Sequence, residues 1–247
     1  MIPKTIHYCW FGQNPLPDFA IKCIDSWRKF FPDYKIKEWN EDNFDVNIIP
    51  YTKEAYSVKK YAFVSDYARF WILYHYGGIY FDTDVEVIKS FDEIIDRGGF
   101  MGIEVNGKNG NYPQVAPGLG LGIEPKHPIY KAIIDYYQDL HYLDENGSPN
   151  NITVVKHNTR VLKESGLQPT NELQEVSGVW IYPKDYFNPL NDNTGKLTIT
   201  DNTRSIHWYT KTWLPKQSPV RQWLSRMSHR LFGLKLHNIK KSLKSKL

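Results

Sequence analysis

Asp82 and Asp84 stand one residue apart in the stretch YGGIYFDTDVEV, at the end of an apolar run. Two like charges that close are unfavourable unless a cation lies between them. Read as a strand, IYFDTD sends residues i and i+2 to the same side, so both carboxylates offer hard oxygen ligands to one space. Such a pair suits Mg2+ or Mn2+, which favour oxygen and keep positions free for phosphate. An exposed turn with two solvated acids is the competing reading of the spacing alone. Upstream, KKYAFVSDYARFWILYHYGG places Asp66 and Arg69 three residues apart on one side of a helix. A structural ion pair accounts for that spacing, yet a guanidinium is also the side chain best shaped to fork onto phosphate. The helix is packed down by Phe63, Tyr67, Phe70, Trp71 and Tyr74 and runs directly into the Asp-x-Asp segment. Together the pieces point to a bound nucleotide diphosphate, with the cation across its phosphates and Arg69 beside them.

These residues need a scaffold, and the chain supplies an alternating one. KTIHYCWF is β-branched or aromatic and reads as a first strand; PDFAIKCIDSWRKFFPDY carries apolar residues at helical spacing and stops at Pro32; YKIKEWN reads as a second strand. The opening is β–α–β, the start of an α/β fold. Residues 53–75 read as one helix closed by Gly77-Gly78. There follow a strand at IYFDTD, a short helix at DEIIDRGG, a strand at GFMGIEV and a polar loop. Helices are expected at HPIYKAIIDYYQDLHYL and NITVVKHNTRVLKESG, the second capped by Asn151 or Thr153, and late strands at GVWIYP, KLTITD and SIHWY. APGLGLGIEPKHP contains Gly-x-Gly-x-Gly, but Pro125 and Pro128 follow at once, so the loop-to-helix context of a dinucleotide site is missing. Its glycines serve either close backbone approach to a ligand on the acceptor side or a tight sheet connection.

With 41% hydrophobic and 23% charged residues, the 247-residue chain has the composition of an ordinary globular protein. Its start lacks the pattern of a targeting segment, and no run approaches a membrane-spanning length. Cys9 and Cys23 are too few for a disulfide framework and too isolated for a zinc site, which fits a reducing cytoplasm. The net charge of +4 is uneven: residues 221–247 hold eight of the 31 basic residues and none of the 27 acidic ones. Trp223, Leu224, Met227, Leu231 and Leu234 recur there at helical spacing. A basic amphipathic tail of this kind reads as a lipid-surface anchor or a nucleic-acid arm; its Trp and Leu face favours an anionic membrane surface, weakened by salt, and a helix docked on its own body is the competing reading.

IPKTIHYCWFG, WRKFFPDYKIKEWNEDNFD, AFVSDYARFWILYHYGGIYFDTDVEV, YPKDYF and SIHWYTKTW, in this order, resemble glycosyltransferase family 32, the Asp-x-Asp sugar transferases that include capsular-polysaccharide enzymes. The central block is also similar to the glucosylating domains of large clostridial toxins. The resemblance implies a GT-A glycosyltransferase fold, a Rossmann-like nucleotide-binding sheet continuous with an acceptor-binding part, over residues 1–219, with 220–247 as the basic tail. It further implies that Trp10 stacks on the donor base, with His7 in the same strand, and that Asp66 and Arg69 contact the ribose, sugar or diphosphate. Asp84 would ligate Mn2+ or Mg2+, Asp82 would face the ribose or the metal shell, and His207 would contribute to the metal or diphosphate. Lys211 and Trp213 would close over the leaving phosphate. The chain departs from the family in having Thr212 before Trp213, where Ser is frequent, and Trp208 where a second His is frequent.

The expectation is therefore a metal-dependent, retaining hexosyltransferase in surface polysaccharide biosynthesis, using a UDP-sugar donor and a saccharide or lipid-linked acceptor, with no nucleic acid partner. It would work in the cytoplasm, peripheral to the inner face of the plasma membrane. Two other classes compete: a haloacid-dehalogenase-like phosphohydrolase, suggested by IYFDTDVEV, and a non-catalytic sugar- or lipid-binding module built on the aromatics.

Overall fold

The computed structural model describes residues 1–150 and 152–210; the expected tail, the 219/220 boundary, Lys211, Trp213 and the Asn151 cap lie outside the described residues. The opening is the expected β–α–β unit: β1 Thr5–Cys9, α1 Asp18–Phe30 and β2 Lys35–Trp39. Helix α1 turns Ala20, Cys23, Ile24 and Trp27 inward at three- and four-residue spacing. The chain continues through α2 Pro50–Ser57, α3 Tyr61–Tyr76, β3 Gly78–Tyr80, β4 Val85–Val87, α4 Asp92–Arg97 and β5 Gly99–Val105. Next come β6 Gln114–Ala116, a 3-10 turn at Pro117–Leu119, β7 Leu121–Ile123, α5 Pro128–Gln138 and α6 Val154–Glu164. It closes with β8 Gln174–Val176, β9 Val179–Tyr182, α7 Lys184–Phe187, β10 Leu190–Asn191, β11 Lys196–Leu197 and β12 Ser205–His207.

The main sheet has the order β2-β1-β3-β7-β5-β9-β8, with β6 added beside β5. Strands β2, β1 and β3 are parallel, β7 runs against β3 and β5, and β9 is parallel to β5, so five strands share one direction. Alternate side chains feed two cores. Ile6, Tyr8, Ile79 and Phe100 meet Trp27 of α1 and Phe31 just past its end on one face. Cys9, Tyr80, Met101 and Ile103 meet α2, α3, α5 and α6 on the other. Cys9 and Cys23 are free thiols, both buried.

Three sequence-based expectations change. The helix over 53–75 is two helices, because Lys59 adopts φ +57° and the chain turns there. Lys60 N donates to Ala55 O and Lys59 N to Tyr56 O, the bonding of a Schellman ending at a residue other than glycine. IYFDTD is not one strand: pairing ends at Tyr80, and Val85 N donates to Asp82 O to form a turn before β4. KLTITD and SIHWY pair only over Lys196–Leu197 and Ser205–His207, while the loop expected before Pro117 and the glycine segment contribute β6 and β7. Thr153 does flank α6, without a side-chain cap. Among the described residues no helix is long and apolar enough to cross a membrane.

Candidate active site

Helix α3 ends at Gly77 and Gly78, at φ +62° and +101°. A side chain at Gly78 would meet Thr5 O and the His7 ring, so this reversal needs glycine to deliver β3 against β1. His7 is 2% exposed. Its Nδ1 accepts from Trp39 Nε1 at 3.0 Å and its Nε2 lies 3.0 Å from Gly77 O, so the ring is neutral and donates from Nε2. Burial, with Lys37 adding and Gly77 opposing, pushes its pKa down to about 4. With both nitrogens engaged, His7 braces the α3–β3 reversal; the expected donor contact is not open to it. Trp10, at the end of β1, is half-buried, with Nε1 donating to Asn14 O at 2.7 Å.

Asp66 and Arg69 sit on the side of α3 that faces β3, 8% and 3% exposed. Arg69 Nη2 lies 2.9 Å from Asp66 Oδ1 and 3.3 Å from Asp82 Oδ1, Nε donates to Ser65 O at 3.0 Å, and the guanidinium sits 5.0 Å from the Tyr80 ring centroid. Tyr80 Oη also donates to Asp82 Oδ1, at 3.0 Å. The structural ion pair, the competing reading of this spacing, is formed and reaches Asp82 as a third partner. At this burial the guanidinium is spent on carboxylates, a different placement from the expected fork on a diphosphate. Burial, helped by Asp82 and opposed by Arg69, pushes Asp66 up to about 7.

Asp84 lies in the turn before β4. Antiparallel pairing of β12 with β4 sets His207 opposite Val85, and His207 Nε2 comes 3.0 Å from Asp84 Oδ1. Thr210 donates to the other oxygen from its main-chain N at 2.8 Å and its Oγ1 at 2.9 Å. Burial would raise the pKa of Asp84, but His207 and Thr210 hold it down at about 2. Burial lowers that of His207, and the attraction of Asp84 outweighs it, with Asp82 and Glu104 adding, so the net direction is up. Trp27 of α1 fixes this region by donating to Val85 O at 2.7 Å.

Ligand atoms of Asp82, Asp84 and His207 all lie within 4.8 Å of one another. His207 Nδ1 is buried without a partner among the described residues. Two carboxylates and an imidazole with an unspent nitrogen fit a divalent cation.

Several residues of this site carry no local signal in the sequence. Tyr80 and Thr210 are ordinary members of their segments. Gly118, in the Gly-x-Gly-x-Gly stretch, resolves the role of those glycines: its backbone approaches protein side chains rather than an open ligand space. A Cβ there would strike Asp82 Oδ2 and come within 3.4 Å of Arg69 Nη1. Gly118→Ala is accordingly expected to push Asp82 aside and weaken any Mn2+ binding at Asp82, Asp84 and His207 by about tenfold while unfolding stays cooperative. Calorimetric titration checks this, and wild-type affinity would refute it.

Residues 17–101, which hold Asp66, Arg69, Asp82 and Asp84, match the glycosyltransferase sugar-binding region containing DXD motif. Over that stretch the chain carries the sugar-binding region of this glycosyltransferase family. This DXD glycosyltransferase is 28% identical over 227 residues to "Uncharacterized glycosyltransferase L373" of Acanthamoeba polyphaga mimivirus, covering 87% of this chain and 85% of that one. It is also 28% identical over 149 residues to "Inositol phosphoceramide mannosyltransferase 1" of Schizosaccharomyces pombe, covering 53% of this chain but only 42% of that relative's length. Its fold is that of the PaToxG glycosyltransferase, at TM-score 0.50 and 20% identity over 66% of this chain and 69% of that one. The GT-A expectation is met, and the phosphohydrolase and binding-module alternatives give way to the glycosyltransferase class. His207 lies beyond the matched stretch and joins the site only through the β12–β4 pairing.

Proposed function

We propose that this glycosyltransferase moves a hexose from a nucleotide sugar to a saccharide or lipid-linked saccharide acceptor, depends on Mn2+ or Mg2+, and retains anomeric configuration. The observation that carries the reading is the convergence of Asp82, Asp84 and His207 beside a buried Arg69. Asp84 and His207 would hold the ion, with Asp82 completing the set or turning to the ribose; the imidazole favours Mn2+ over Mg2+. When bound, the ion supplies positive charge that stabilises the departing diphosphate.

The chain's own groups do the rest. Trp10 would stack on the base at the end of β1, Arg69 would hold Asp82 and Asp66 in place, and Lys211 and Trp213 would shut water out. Transfer forms a bond from the acceptor oxygen to the anomeric carbon and breaks the bond from that carbon to the diphosphate. The leaving phosphate takes the acceptor's proton on the same face. A UDP-sugar is the first donor to test. The mannosyltransferase relatives add a mannosyl nucleotide and a lipid-linked acceptor to the same screen. Surface polysaccharide synthesis is the setting this reading assigns, with the basic tail on an anionic membrane surface.

The test is thermal unfolding with UDP or GDP, with and without Mn2+. A ligand bound only by the folded state stabilises it in proportion to RT ln(1 + [L]/Kd). Metal and nucleotide together should raise the midpoint by more than the two separate shifts combined. Additive or absent shifts would remove the metal–diphosphate reading.

A further inference from the structure

The five strands that share one direction end at one edge of the sheet, the edge at which open α/β sheets bind their ligands. Along that edge Trp10 follows β1, Asp82 and Asp84 follow β3, and Glu104 stands one residue from the end of β5. In sequence Glu104 is a lone charge closing the apolar run GFMGIEV. The structure leaves it half-buried and ties it to the metal-site segment. Its Oε1 accepts from Tyr209 Oη at 3.0 Å, and its main-chain oxygen accepts from the buried Asn188 Nδ2 at 3.1 Å. Oε2 accepts no hydrogen bond among the described residues, although Lys184 and His207 both feel the carboxylate's charge. Tyr209, held at φ +52°, stands edge-on to His207 with ring centroids 4.2 Å apart. The turn that brings His207 to Asp84 thus also brings Tyr209 to Glu104.

On the reading of the site given above, a nucleotide sugar has its base at Trp10 and its diphosphate at Asp84. Its hexose then continues along the sheet edge away from β1, toward β5. We propose that Glu104 accepts hydrogen bonds from hydroxyl groups of the transferred hexose and so selects the sugar, with Tyr209 as its positioning residue. A carboxylate is acceptor-only, and the Tyr209 bond turns it so that Oε2 is left for the ligand. Hydrogen bonds to a charged acceptor are among the strong ones, and the configuration of each hydroxyl decides whether it reaches.

The experiment is calorimetric titration, in Mn2+, of the wild type, Glu104→Gln and Tyr209→Phe with UDP, GDP, UDP-glucose, UDP-galactose and GDP-mannose. Glu104→Gln should bind the bare diphosphates as the wild type does. It should lose about tenfold in affinity for the preferred nucleotide sugar and discriminate less among hexoses. Tyr209→Phe should shift the same ratio by a smaller factor. An unchanged ratio of nucleotide-sugar to nucleotide affinity in Glu104→Gln overturns the assignment. Equal losses for bare nucleotide and nucleotide sugar overturn it too, since they would make Glu104 a support of the metal site. A wild type that binds none of these ligands sinks the parent reading instead, a result distinct from the other two.

Discussion

Asp84→Ala should reduce sugar transfer by on the order of a thousandfold while the protein still folds. Asp84 is not a packing residue: its carboxylate receives His207 on one oxygen and both donors of Thr210 on the other. Removing it takes away a carboxylate of the proposed cation site and leaves His207 and the Thr210 amide without that acceptor. The fold cost is that of a few lost hydrogen bonds, roughly 1–3 kcal/mol. Acid titration separates the two effects. The folded pKa of Asp84, about 2, lies below its unfolded value. In metal-free buffer its contribution is therefore present above the unfolded pKa of about 4 and is lost as pH falls toward 2. Asp84→Asn should show a flatter decline in stability across that window. Transfer assayed over a range of Mn2+ concentrations is the direct check; near wild-type turnover in Asp84→Ala would end the metal assignment.

Arg69→Met should have the largest effect on stability. One buried guanidinium holds two carboxylates, Asp66 at 2.9 Å and Asp82 at 3.3 Å. Removing the cation leaves both acids facing each other in a low-dielectric setting. Breaking a buried pair in this way costs about 3–5 kcal/mol, which for a chain of this size lowers the melting midpoint by roughly 10 °C. Asp66, already pushed up to about 7, would take up a proton. Adding Asp66→Asn to Arg69→Met should therefore recover part of the loss, a coupling that a double-mutant cycle reads directly. A midpoint within a degree or two of wild type for Arg69→Met would show that the pair is not holding the site together.

Much of this was legible from residue spacing, because the relevant geometry is local. Asp66 and Arg69 are three apart, so any helix there brings them to one side, and α3 does. The β–α–β opening follows from periodicities of two and 3.6 that α1, β1 and β2 obey. Where a local rule had an equally cheap rival, the reading failed. Lys59 takes a left-handed conformation that glycine usually signals, and it splits one expected helix into two. The Asp-x-Asp pair converges through a turn rather than along a strand.

By itself the sequence determined the α/β class, the carboxylate pair, the placing of Asp66 and Arg69 on one side of a helix and, through its motifs, the likeness to glycosyltransferases. Only the tertiary structure decided what those carboxylates face. Pairing of β12 with β4 delivers His207 and Thr210 to Asp84, the 3-10 turn presses Gly118 against Asp82, and the shared direction of β1, β3 and β5 aligns Trp10, the Asp pair and Glu104 along one edge. Side-chain spacing within an element is set by backbone geometry and can be counted along the chain. Register between strands far apart in sequence is set by which faces bury best together, and no count along the chain contains that choice.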